Sequence, residues 1–170
     1  MKTKILLTSF KTWLPHHKSN SSDDLLVKFQ KQDYSSIVSL FFLRNLDVNV
    51  ESASKKLIEE IDKTHPNVIV CCGMAEKRTK LTIESNAWCH DKCLYTSIDL
   101  YELTKSTIDT EVSHDAGKFV CEGLYYRILE YIQYKNIGCI FIHVPILEGK
   151  SNSIEQDFNS IILYLATRSA

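Results

Sequence analysis

The chain has 170 residues, 44% apolar and 24% charged, the balance of a soluble globular domain and not of a disordered chain. Its 20 Lys and Arg against 21 Asp and Glu leave a net charge of −1 with both signs scattered, so no basic stripe is present to grip nucleic acid or an anionic membrane surface. The longest apolar run, Ser39 to Leu43, falls far short of the ~20 residues a membrane span needs, and the apolar stretch near Met1 is too short for a secretory signal.

One domain over residues 1–170 and a cytoplasmic location are therefore expected. Cysteines stand at 71, 72, 89, 93, 121 and 139. Without an export signal these read as buried small hydrophobes, metal ligands or reactive thiols, not as disulfides.

In chain order, Lys4 to Thr8 reads as a first strand, apolar throughout as in a parallel sheet buried on both faces. A polar loop spans Lys11 to Asn20. Ser21, Ser22 and Asp23 then offer N-caps to a helix carrying Leu25, Leu26 and Phe29, and Ile37 to Leu43 is the second strand. Ser52 or Ser54 starts a helix with Ala53, Leu57, Ile58 and Ile61 at helical spacing, which Pro66 ends; Val68 to Cys72 is the third strand.

Leu81 to Trp88 alternates as a fourth strand, and Cys89 to Asp115 reads as loop with a short strand. Asp115-Ala116-Gly117 opens a helix whose stripe is Cys121, Leu124, Tyr125, Ile128 and Ile132. Cys139 to Val144 is a strand closed by Pro145, and a last helix from Ser151 or Ser153 carries Ile154, Phe158, Ile161, Ile162 and Leu165. Strands alternating with helices of these lengths give an α/β class, a three-layer αβα sandwich with a mainly parallel or mixed central sheet. Ligands in such sheets lie at the carboxyl ends of the strands.

Three residues then combine chemically. Cys121 sits near a helix start, where free N–H groups and the dipole favour a thiolate. His143 ends a strand, and Glu84 on the fourth strand can orient an imidazole. Each alone has a plainer reading: a Cys on an apolar stripe packs the core, a strand-end His bonds a neighbour, and a strand Glu faces water. Cys89-His90-x-x-Cys93 has a ligand-like spacing, but structural zinc needs four ligands and no matching second pair exists; His16-His17 could join one only through folding. No metal is expected. The Tyr125-Tyr126 pair and Trp88 read as core or interface aromatics.

Local sequences go further. Ala116-Gly117-Lys118-Phe119-Val120-Cys121 resembles the nucleophile segment of pyroglutamyl peptidase I, the cysteine peptidase family also called pyrrolidone carboxyl peptidase. Phe141-Ile142-His143-Val144-Pro145 is similar to its His segment, and Gly73-Met74-Ala75-Glu76-Lys77-Arg78 with Leu81-Thr82-Ile83-Glu84 to the stretch leading into its Glu strand. Thr8-Ser9-Phe10-Lys11-Thr12-Trp13 resembles its N-terminal aromatic loop, and Asn20 fits the Asn that follows. The likeness runs nearly end to end.

The resemblance implies removal of N-terminal pyroglutamate from peptides by a Cys121-His143-Glu84 triad, without metal or cofactor. It also implies a ring slot formed by Phe10, Trp13, Phe119 and Val120, and a pyroglutamylated peptide as the partner molecule; self-association as a homo-oligomer is left open. The sequence departs from the family in several places. The stretch between Glu84 and Cys121 is shorter, with no Arg between Arg78 and Arg127, and Ser9, Thr12, Leu14 and Glu122 replace the family's Gly, Pro, Gly and Asn. The alternative is a divergent relative, non-catalytic or of altered specificity, that binds an N-blocked peptide or small lactam.

Overall fold

Eight consecutive residues, Thr3–Phe10, form β1, a strand enclosed along nearly its whole length. The computed structural model describes residues 2–147 and 151–168. After β1 come α1 (Ser21–Phe29), β2 (Val38–Leu46), α2 (Val50–Thr64), β3 (Val68–Met74), β4 (Thr82–Glu84), β5 (Asn86–Cys89) and β6 (Lys92–Tyr95). The order continues with α3 (Leu100–Thr104), β7 (Glu111–Ser113), α4 (Val120–Ile132), β8 (Gly138–Val144) and α5 (Ser151–Arg168).

The main sheet has six strands in the order β2-β1-β3-β8-β4-β7, and β5 with β6 makes a separate hairpin. Pairing is parallel from β2 through β8, antiparallel between β8 and β4, and parallel again between β4 and β7. The sheet is thus mixed and mostly parallel, the layered α/β arrangement that the element pattern implies.

Period-2 alternation sorts the strand side chains between two cores. On one face Ile5, Leu7, Val68, Val70, Ile140 and Ile142 pack under α1, α3 and α5. On the other, Leu6, Phe10, Ile69, Cys71, Cys139 and Phe141 pack under α2 and α4. The expected stripe of α4, Cys121, Leu124, Tyr125, Ile128 and Ile132, is buried in this second core. Among the described residues no helix is long and apolar enough to cross a membrane.

The boundaries differ from the sequence reading where side chains compete for backbone. Asn20 and Asn49, not the serines after them, cap α1 and α2, accepting from Ser22 N and Ser52 N. The expected strand from Leu81 to Trp88 breaks at Ser85, whose N–H donates to Ser113 O at 2.8 Å; beyond it the chain leaves the sheet and pairs in the hairpin. The stretch 89–115 holds a hairpin strand, a short helix and an edge strand, more order than loop with one strand. The nucleophile-segment helix starts at Val120, not at Asp115, because Gly117 adopts φ +89, a left-handed turn that a helix cannot contain and that Gly enters without strain.

Candidate active site

The register brings four positions to one face at one end of the sheet. His143 follows Cys139 and Phe141 on the α4 side of β8, and it pairs with Gly73 of β3 on one side and Thr82 of β4 on the other. Glu84 pairs with Phe141, so its side chain lies on the same face as that of His143. The carboxylate of Glu84 is fully buried, and its Oε1 lies 2.7 Å from His143 Nδ1. That contact fixes the ring and leaves Nε2 as the nitrogen available for other work. Glu84 Oε2 has no hydrogen-bond partner, and Arg78 Nη2 stands 3.6 Å from Oε1 while donating to Asp115 O at 3.2 Å.

Cys121 is the second residue of α4. Its first-turn N–H groups have no acceptor inside the helix, and the N-cap Phe119 supplies no side-chain bond to them. Beneath the sulfur, a Cβ on Gly73 would come within 2.7 Å of Cys121 Sγ, so only Gly leaves room for the thiol there. Burial pushes the Cys121 thiol up to about 12, and the neighbouring Cys71 and Glu84 add to the rise. The helix start alone therefore does not produce a resting thiolate: desolvation outweighs the dipole, and ionising this sulfur needs a base beside it.

Cys121 and His143 both line a cavity of about 110 Å³ whose other walls are Phe10, Trp13, Val48, Met74, Phe119 and Val120, with Asn20 and Ala116 at its edge. All four residues expected to hold the substrate ring thus face one cavity with two members of the expected triad; Glu84 lies behind His143. Phe10 and Val120 are buried, whereas Phe119 is 56% exposed and stands at the mouth, its ring centroid 6.0 Å from that of Trp13. Asn20 holds the Trp13 loop by donating Nδ2 to Lys11 O at 3.1 Å while its Oδ1 accepts from Ser22.

Val48 in the loop before α2, Met74 at the end of β3 and Ala116 in the loop before α4 complete the lining, and the sequence marks none of them as a wall residue, because single apolar residues at such places carry no periodic pattern. Cys89 is exposed and Cys93 half-buried in the hairpin, and neither belongs to a three-donor cluster among the described residues. Trp88 is 48% exposed, so it is not a core aromatic; Tyr125 and Tyr126 are buried.

No protein-family model matches the chain. In sequence it is similar to a pyrrolidone-carboxylate peptidase of a Thermoanaerobacter species, 29% identical over 147 residues that cover 62% of this chain and 72% of the relative. The protein of that name from Oceanobacillus iheyensis is 25% identical over 169 residues, 84% of this chain and 83% of its own. In structure it is similar to pyroglutamyl peptidase I of Bacillus amyloliquefaciens, with a TM-score of 0.81 at 20% identity over 98% of each chain. A pyrrolidone carboxyl peptidase of Fervidobacterium islandicum gives 0.80 at 19% identity over 97% of each chain. The likeness carried by the local sequences extends through the whole fold.

Proposed function

We propose that this chain, similar in sequence and in fold to pyroglutamyl peptidase I, is a cysteine peptidase that removes pyroglutamate from the N-termini of peptides. The observation that carries the reading is the convergence of Cys121 and the Glu84-held imidazole of His143 on one small apolar cavity. The lactam ring enters between Phe10, Trp13, Phe119 and Val120, which strips water from it and sets the exocyclic carbonyl that joins it to the rest of the peptide against the sulfur.

His143 takes the thiol proton, and the thiolate attacks the carbonyl carbon to give a tetrahedral oxyanion. The free N–H groups at the start of α4 receive the negative oxygen. Collapse breaks the C–N bond as His143 returns the proton to the leaving amine. Water, deprotonated by the same imidazole, then cleaves the thioester, releasing pyroglutamate and restoring the thiol. Glu84 keeps Nδ1 protonated and stabilises the imidazolium in both steps. The raised Cys121 pKa makes this transfer necessary: at neutral pH the sulfur is nucleophilic only while His143 holds its proton. No metal or cofactor takes part, and the expected location is the cytoplasm.

The test is release of a fluorescent amine from a pyroglutamyl amide, with prolyl and alanyl amides as controls. Turnover of the pyroglutamyl compound alone, lost in Cys121→Ala, supports the reading. Saturable binding of a pyroglutamyl peptide without turnover would replace it with a non-catalytic binder, and the absence of both would remove it.

A further inference from the structure

Outside the catalytic cavity, the loop after β1 brings His16 and His17 onto the carboxylate of Glu76, two residues beyond the end of β3. His17 Nε2 contacts Glu76 Oε1 directly, and His16 Nε2 lies 3.7 Å from the same oxygen. One donor atom from each residue falls within 4.8 Å of the others, and this is the only such group of three found among the described residues. Donors bound at about 2.1 Å around one tetrahedral ion sit roughly 3.4 Å apart. The His16 side chain is 67% exposed and can turn to close the set.

The His17 ring is held in place. The His17 side chain is only 6% exposed, its ring is packed edge-on against Trp13 at 4.6 Å between centroids, and its Nδ1 has no hydrogen-bond partner. Its Nε2 edge is the one turned to Glu76, so this fixed ring offers Nε2 to the cluster. The three side chains border an open cavity of about 310 Å³ that gives an ion access and leaves room for water. Besides the two histidines, its charged lining residues are Glu76, Asp24 and Lys18, two carboxylates against one ammonium.

We propose that His16, His17 and Glu76 form a binding site for a divalent transition metal of the zinc class, with water completing the coordination. Two imidazoles and a carboxylate suit zinc and cobalt better than calcium or magnesium, which take oxygen donors. The site is separate from Cys121 but not isolated from it, because Met74 lines both cavities and Trp13 packs on His17. A bound ion would pin the loop that carries Trp13.

The test is calorimetric titration of Zn²⁺ into the full chain carrying Cys121→Ala, which removes the competing thiol of the catalytic cavity. One saturable site is expected, weakened at least 10-fold by His16→Ala and by Glu76→Gln, with metal-free melting unchanged in His16→Ala because that side chain is exposed. Co²⁺ should give the visible absorption of a nitrogen and oxygen ligand set, without thiolate charge-transfer bands. Absence of saturable binding, equal affinity in both variants, or thiolate bands that persist in His16→Ala and so trace to Cys89 or Cys93 would each overturn the proposal.

Discussion

Cys121 rests against Gly73: a Cβ at that glycine would stand 2.7 Å from the sulfur and 3.0 Å from Phe141 Cζ. Both obstacles are enclosed, so neither can swing aside into solvent. Gly73→Ala is expected to shift the thiol within the cavity it shares with His143 and to lower kcat by about 10-fold or more, since small misplacements of reacting atoms are costly. Overpacking should also cost about 1–3 kcal/mol of stability. Steady-state kinetics beside a denaturant titration checks both; wild-type kcat in this variant would mean that the sulfur does not need its present position.

Glu84 and His143 form a buried pair, and removing the charge while keeping the shape isolates its effect. Glu84→Gln should reduce kcat by about 10²–10⁴-fold with little change in KM, because the amide cannot stabilise an imidazolium as the carboxylate does. Combined with Cys121→Ala it should add almost nothing, as a base without its nucleophile has no reaction to assist. Additive losses in the double variant would separate Glu84 from the reaction of Cys121.

The difference between what the sequence conveys and what it conceals follows from the physics of each segment. Val68–Met74 and Gly138–Val144 are buried on both faces, so their apolar runs alone place them in the sheet centre. The edge strand Glu111–Ser113 is mostly exposed and reads as loop, because an edge needs little apolar surface. The break at Ser85 is invisible for another reason: the alternation runs on through it, and only a backbone bond to Ser113 shows where the sheet ends. At the site, local motifs point to Cys121, His143 and Glu84 as candidates, but the burial of Glu84 depends on its neighbours β8 and β7. A strand glutamate with no tertiary context reads as solvated. The Glu76 contact with His16 and His17 joins residues about sixty positions apart and has no local signature.

Burial of the Cys121 thiol has a consequence for alkaline stability. In the unfolded chain the thiol ionises near its ordinary value of 9.0, whereas in the folded protein it stays protonated up to about 12. The contribution is thus fully present below pH 9 and lost as pH rises towards 12, because only the unfolded state releases the proton in that window. At about pH 10.5 the loss amounts to about 2 kcal/mol for this group. Cys72, Cys139 and Tyr125, also held up by burial, add losses of the same sign. Urea titrations from neutral to alkaline pH should therefore show the wild-type protein losing more stability than Cys121→Ala. Parallel curves would mean that the thiol is not raised.

The mouth of the ring slot yields a prediction about specificity. Phe119 and Trp13 pack against each other there with centroids 6.0 Å apart and a tilt of 44°, so the two rings together form one apolar rim of the slot. Phe119 is the extended N-cap of α4 and is more than half exposed, so truncating it should leave the helix and the position of Cys121 intact. Phe119→Ala is expected to raise KM for a pyroglutamyl amide by about 10-fold, the loss of roughly 1–2 kcal/mol of apolar contact, with kcat nearly unchanged. Trp13→Ala should do the same and more, because that ring also packs on His17 and helps to hold its own loop. If both rings grip one lactam, the double variant should lose less than the sum of the two, with a coupling of about 0.5–1.5 kcal/mol. Strict additivity would indicate that the rings act on separate parts of the substrate. A fall in kcat with KM unchanged would indicate that Phe119 acts through the helix start, and so on the oxyanion donors, instead of on the ring.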